Sequence, residues 1–220
     1  DKIIQNQIMN EISKLIHDAE FISEESASSG NLSAENLFII DPIDGTTNFI
    51  HAMRYSAVSV AWYKKGIPFY GIVYNPYSEE LYEAQCDKGA FLNGQRITVS
   101  SESLGNSIVA FGTSPYNLET TETTFELIKN MYGRCQDIRR MGSAALDICQ
   151  VASGRVGLYF EAALSLWDYA AAQLILHESG GKMVDFYGKP IRLTTEKSSV
   201  IVGCEDIILE SELIRKERHI

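Results

Sequence analysis

Between Asn36 and Phe49 the chain reads NLFIIDPIDGTTNF, in which four consecutive apolar residues lead into two aspartates set around a proline and an isoleucine, then a glycine and two threonines. The unbroken run Leu37, Phe38, Ile39 and Ile40 predicts a short strand buried on both faces, since a half-exposed strand would alternate. Upstream, Ile4, Ile8, Ile12, Leu15 and Ile16 recur at helical spacing and predict an amphipathic helix over 2–17, with Asp1 as its N-cap. AEFI (19–22) predicts a second short strand, followed by the acidic pair Glu24-Glu25 and a small polar loop. YSAVSVAW (55–62), FYGIVY (69–74) and ELYEAQ (80–85) predict strands separated by turns at Lys65-Gly66 and NPYS. GAFLNGQRITVS (89–100) extends this antiparallel meander through an Asn93-Gly94 hairpin signal.

From about Asn106 the pattern changes. SIVAFG, QDIRRM, VGLYFE and SVIVG read as strands, alternating with helical stretches ETTFELIKNMYG, SAALDICQVASG and LWDYAAAQLILHESGG and a final helix. The expected fold class is therefore α/β (mixed α+β): one domain over 1–220, meander-rich across 1–105 and alternating across 106–220.

Composition narrows the function classes. A net charge of −10 argues against a general nucleic-acid or anionic-membrane surface, both of which call for a basic face. No apolar run approaches the roughly 18 residues of a membrane span. Cys86, Cys135, Cys149 and Cys204 are scattered and read as reduced thiols. An acidic protein that binds an anion needs a local positive focus, which a bound metal supplies.

The candidate chemistry begins at DPIDGTT. Pro42 has no N–H and a fixed φ, so the strand is expected to stop and turn there, aiming Asp41, Asp44 and the Ile43 carbonyl at one point. Such oxygen donors suit a hard cation, Mg²⁺ or Ca²⁺. Gly45 permits close backbone approach, and Thr46 and Thr47 offer hydroxyl and N–H groups to a phosphate. Asp, Gly and Thr also build ordinary Asx turns, so the stretch alone supports either reading. Asp168, at the start of a strong helix, is by default a cap, and Glu24 and Glu25 are by default solvated charges. The helix start Gly142-Ser143-Ala144 serves equally as a cap or an anion site. A haloacid-dehalogenase-like phosphatase is excluded, because its nucleophile would fall on Pro42.

Taken together, FISEES (21–26), IIDPIDGTTNF (39–49), GSAALDICQVASGRVGLYFE (142–161) and WDYAAAQLILHESGG (167–181) resemble the inositol monophosphatase family, in order and in spacing. GIVYNPYSEELYEAQCDKGAFLNGQRI (71–97) resembles its central hairpin region. The resemblance implies a layered αβαβα sandwich of the inositol monophosphatase/fructose-1,6-bisphosphatase type. It also implies a cytoplasmic, lithium-sensitive homodimer that hydrolyses a small phosphorylated polyol or sugar, with no nucleic-acid or membrane partner. It assigns Glu24 (rather than Glu25), Asp41, the Ile43 carbonyl, Asp44 and Asp168 to two or three Mg²⁺ ions. It places Gly45 and Thr46 on the phosphate, with Asp44 and Asp168 also facing substrate, and Ser143, Ala144 and Glu161 on the alcohol side. Glu24, Asp44 and Thr46 would be catalytic, promoting in-line attack by a metal-activated water on inositol 1-phosphate or a relative. Fructose bisphosphate, NADP and histidinol phosphate remain alternative substrates, and a non-catalytic regulatory relative is the alternative of another class. Three departures stand out: further N-terminal helical sequence of the family is absent, Ala172 replaces a usual glycine and is expected to crowd the pocket, and FGTSPYNLE replaces a commoner Gly-Phe-Pro turn.

Overall fold

The computed structural model describes residues 1–26, 30–115 and 117–215, so part of the polar loop after Glu25 lies outside the described residues. Its elements stack as helix, sheet, helix, sheet, helix, the layered mixed α/β sandwich that the motifs implied. The first sheet holds β1 (Ala19–Ser23), β2 (Asn36–Asp44), β3 (Ala57–Lys64), β4 (Ile67–Asn75), β5 (Glu80–Gln85), β6 (Gly89–Leu92) and β7 (Gln95–Arg96), side by side in chain order. β1 and β2 pair in parallel, and each later pair is antiparallel. Asn93 and Gly94 take φ values of 49° and 75°, the left-handed pair that a two-residue hairpin turn requires.

Alternation decides which face of this sheet is the core. On β3, Ala57, Ala61 and Tyr63 point inward, whereas Trp62 joins an outer row of rings with Phe38 and Phe69 at centroid distances of 5.4 and 4.6 Å. α1 (Lys2–Leu15) packs on β1 and β2 and sends no residue into the main core. It ends two residues before the sequence pattern suggested, and Asp1 caps it only through its carbonyl, which accepts from Gln5 N–H at 3.0 Å.

The second sheet orders β11 (Lys182–Val184), β12 (Ser198–Gly203), β10 (Leu158–Leu164), β8 (Ile108–Phe111) and β9 (Asp137–Arg139). β8 runs parallel to β9 and β10, while β12 is antiparallel to β10 and β11. The three-residue β11 was too short to read from the sequence. α4 (Ala144–Ala152) and α5 (Leu166–Glu178) fill the space between the sheets, and α3 (Thr121–Met131) and α6 (Glu205–Ser211) cover the far side of the second. The small side chains of Ala170, Ala171 and Ala172 let α5 approach the first sheet closely. Ala172 is fully buried in that contact and does not line the acidic cleft described below, contrary to the expected crowding.

One local expectation is overturned. β2 does not stop at Pro42 but runs on to Asp44, with Asp41 opposite Ser59 and Asp44 opposite Ala57. Three residues on β2 therefore span two on β3: a one-residue bulge absorbs Pro42, whose missing N–H would otherwise interrupt the ladder. The turn comes one step later, at Gly45, with φ 86°, before the short helix α2 (Thr46–Ile50).

The α5–sheet contact yields a test. A Cβ built on Gly71 would lie 2.8 Å from the Ala171 carbonyl oxygen, a backbone atom that cannot rotate away. Gly71→Ala should therefore destabilise the fold by about 1–3 kcal/mol through overpacking, read from denaturant melts. An unchanged midpoint would mean that α5 and β4 are less closely packed than described.

Candidate metal and phosphate site

The carboxyl end of β2, the N-termini of α4 and α5, and the loop after β8 surround one cleft of about 660 Å³. Each sequence-predicted residue lies on it: Glu24, Asp41, Ile43, Asp44, Gly45, Thr46, Ser143, Ala144, Glu161 and Asp168. A second cavity of similar volume, beneath α5 and residues 181–193, is walled by aliphatic side chains such as Leu174, Met183 and Ile191 and holds none of these ten. Chemistry therefore selects the acidic cleft.

The bulge of β2 sets the geometry. Asp41 Oδ1 accepts from Ile43 N–H at 3.0 Å, an Asx-type bond that fixes the carboxylate against its own backbone. Thr46 Oγ1 donates to the Ile43 carbonyl at 3.1 Å. Asp44 reaches across to the middle helix layer, where its Oδ2 accepts from Ala145 N–H at 2.8 Å and from the Ser143 hydroxyl. The N-terminus of α4 is thus an anion site, as one sequence reading held, but the anion is the protein's own Asp44. Ser143 is also the N-cap, as the other reading held, and is buried with its hydroxyl turned to Asp44.

Asp168 also plays two parts. At the third position of α5, its Oδ2 accepts from Ser165 N–H at 2.7 Å in a capping box. Its carboxylate still lies within 4.8 Å of those of Asp41 and Asp44. Glu24 stands at the cleft mouth beside Asp41, exposed and outside that tight trio, while Glu25 is tied through its N–H to Gln5 Oε1 at 3.2 Å.

Electrostatics follow from burial. Asp41 and Asp44 are only 2% and 7% exposed, and none of the ion pairs among the described residues involves the trio. Desolvation, then repulsion from Asp44, Glu24 and Asp168, holds Asp41 well above the usual carboxylate range. Desolvation lifts Asp44 to about 6, against the pull of the bonds from Ser143 and Ala145. Asp168 is raised for the same first reason, with Asp44 the next. Three crowded carboxylates with no cationic side chain between them fit one or more hard cations, and an all-oxygen donor set fits Mg²⁺.

Sequence reasoning missed several residues here. Asn48 Nδ2 donates to the carbonyls of Tyr55 and Met141 at 2.8 Å each, tying the first motif to the loop before α4. Tyr55 OH donates to Asp147 Oδ1 at 2.9 Å, and burial pushes Asp147 well above its ordinary range. A lone carboxylate inside the apolar run ALDIC was the available signal for Asp147. A Cβ on Gly45 would meet the Gly142 and Tyr55 carbonyls at 3.0 and 3.1 Å, so glycine is required both for space and for its φ. Arg140 and Ser114 also line the cleft without any local pattern to mark them.

The layered sandwich with acidic groups gathered at a strand end is an architecture shared with known proteins. The inositol monophosphatase family profile matches residues 1–218. Nus factor SuhB of Pasteurella multocida is 38% identical over 89% of this chain and 73% of its own, and inositol monophosphatase 1 of Solanum lycopersicum is 38% identical over 90% and 74%. The crystal structure of extragenic suppressor protein suhB from Bartonella henselae superposes with a TM-score of 0.89 at 34% identity, covering 99% of this chain and 83% of that one. SaIMPase-II with inositol monophosphate bound gives 0.87 at 28% identity, covering 97% and 83%. The fold and its acidic cleft thus define a protein of the magnesium-dependent phosphatase type. The chain belongs to the inositol monophosphatase family.

The raised carboxyls give a stability prediction whose sign is fixed. An unfolded Asp titrates near 3.9, so the proton held by Asp44 stabilises the fold fully below about pH 4 and that contribution is lost as pH rises through about 6. In EDTA the melting temperature should therefore fall between about pH 4 and 6.5, and millimolar Mg²⁺ should remove the fall. Asp44→Asn should melt no lower than wild type in EDTA and gain less from Mg²⁺. An equal Mg²⁺ gain in both proteins would remove Asp44 from the cation site.

Proposed function

We propose that the protein is a Mg²⁺-dependent phosphomonoester hydrolase acting on a small phosphorylated polyol or sugar, such as inositol 1-phosphate. The observation that carries this reading is the buried trio Asp41, Asp44 and Asp168, which makes no ion pair among the described residues and opens to a cleft of substrate size. Glu24, Asp41, the Ile43 carbonyl, Asp44 and Asp168 would hold the metal. Mg²⁺ bound there would supply positive charge to the phosphoryl oxygens and make water more acidic.

The remaining roles belong to side chains. Gly45 and Thr46 cradle the phosphate where no Cβ intrudes. Thr46 Oγ1 donates to Ile43, so its lone pairs are left to orient the attacking water. The Glu24 carboxylate, its proton affinity raised first by desolvation, accepts that water's proton. The water oxygen bonds to phosphorus as the opposite phosphorus–oxygen ester bond breaks in line, and the departing alkoxide takes up a proton. No covalent phosphoenzyme forms. Ala144 and Glu161 line the side where the alcohol would lie. On the family pattern, a homodimer sensitive to Li⁺ is part of the same proposal.

A second reading is favoured by the name Nus factor carried by the SuhB relatives: a regulatory role for the same fold, with or without turnover. Phosphate release separates the two. The protein should liberate phosphate from inositol 1-phosphate with Mg²⁺ and none in EDTA, and Asp44→Asn should drop to the detection limit with its circular dichroism unchanged. Wild-type turnover in that variant would remove the proposed centre, and an inert wild type across polyol and sugar phosphates would leave the regulatory reading.

A further inference from the structure

Behind the Gly45 turn lies a set of polar groups that neither the carboxylate trio nor the proposed chemistry uses. Asn48, only 7% exposed, has both amide hydrogens committed, donating from Nδ2 to the Tyr55 and Met141 carbonyls at 2.8 Å each. The Tyr55 hydroxyl in turn donates to Asp147 Oδ1 at 2.9 Å, and Asp147 is only 1% exposed. Burial, and after it the neighbouring Asp147, holds the Tyr55 phenol far above its ordinary range, so the phenol keeps its proton and is the donor of the pair. Gly142 N–H offers Asp147 a second, backbone donor.

These bonds close a ring. The Met141 carbonyl and the Gly142 N–H belong to one peptide unit, which Asn48 holds on its oxygen side and Asp147 on its nitrogen side. The bonds from Asn48 to Met141 and from Tyr55 to Asp147 join positions 93 and 92 residues apart, so the ring ties α2 and the segment after it to the start of α4.

The place of the ring gives it a consequence for the cleft. Gly45 is seated on its backbone, since a Cβ there would stand 3.0 Å from the Gly142 carbonyl and 3.1 Å from that of Tyr55. Gly142 has φ 98°, and a Cβ on it would stand 3.1 Å from Asn48 Nδ2. Close-packed backbone transmits a shift instead of absorbing it, so any movement of the ring moves Gly45 and Thr46 with it. Losing one member leaves a buried group unpaired, which costs more than the bond itself contributes.

We propose that Asn48, Tyr55 and Asp147 are positioning residues that hold the Gly45–Thr46 turn in the shape that receives a phosphoryl group. They act through the backbone of Gly45 and Gly142 and not on the reacting atoms. The identity of the ligand at that turn rests on the phosphatase reading; what fixes the turn is a phenol and an amide on one segment meeting a buried carboxylate on another.

The deciding variant is Tyr55→Phe, which removes one hydroxyl and keeps the aromatic ring. The probe is inorganic phosphate, titrated by calorimetry in saturating Mg²⁺. Tyr55→Phe should bind it about tenfold more weakly than wild type, the size of one lost bond to a buried carboxylate. Its affinity for Mg²⁺ alone should stay within about twofold, because the trio is anchored by Ile43, Ser143, Ala145 and Ser165 instead. Tyr82→Phe is the control: this buried phenol bonds to Gln150 and Arg155 away from the cleft, so its loss should lower the melting temperature and leave phosphate affinity unchanged. Asn48→Ala should weaken phosphate binding to a similar degree, and the double variant with Tyr55→Phe should lose about as much as the worse single. Unchanged phosphate affinity in Tyr55→Phe, an equal loss in Tyr82→Phe, or losses that multiply in the double variant would each overturn the proposal. With inositol 1-phosphate, kcat/KM of Tyr55→Phe should fall about tenfold when assayed well below its melting temperature. If Tyr55→Phe loses phosphate affinity but wild type hydrolyses no ester, the hydrolase reading fails and the positioning role stands. If wild type turns over and Tyr55→Phe matches it in turnover and phosphate affinity, the positioning role fails alone. If wild type binds no phosphate in Mg²⁺, both fail.

Discussion

Asp44 is the knot of this structure. It ends a strand of the first sheet, and its carboxylate is bound by Ser143 and Ala145, about a hundred residues further along the chain, at the start of a helix in the middle layer. Those bonds bring the first motif and the second half of the chain into one wall. They also commit the fold to burying an anion beside Asp41 and Asp168, where desolvation opposes ionisation. A divalent cation resolves that conflict, so the interaction that assembles the cleft also creates its demand for metal.

The residues around this knot serve structure and chemistry together, since a carboxylate has more than one oxygen and each oxygen more than one lone pair. Asp168 caps α5 with one oxygen while its carboxylate belongs to the trio. Asp41 closes an Asx turn and still faces Asp44. A helix cap and a place among crowded carboxylates, posed by the sequence as alternatives for Asp168, are compatible once the geometry is known. Glu161 does the same on the cleft's other wall: it accepts from Ser114 N–H and from the Tyr159 hydroxyl while still lining the cleft.

Much of the fold was legible in local patterns. The meander followed from alternating strands and from Lys65-Gly66 and Asn93-Gly94, residues that tolerate the left-handed turn conformation. The buried strand at Leu37–Ile40 followed from its unbroken apolar run. β11 was missed because three residues carry no period, and β2 was cut short because Pro42 reads locally as a stop, whereas a bulge lets the ladder resume at Asp44. Nothing local could mark Arg140 or Ser114, which reach the cleft only through the fold.

By itself, the sequence determined the elements, the order of the motifs and the kinds of donor atom available, because these depend on residue identity and on neighbours a few positions away. Only the tertiary structure decided which carboxylates crowd together, how far burial raises them, and which polar groups are already engaged. Desolvation and repulsion depend on distances between segments that the chain order does not specify, and so they exist only once the sheets and helices have closed on one another.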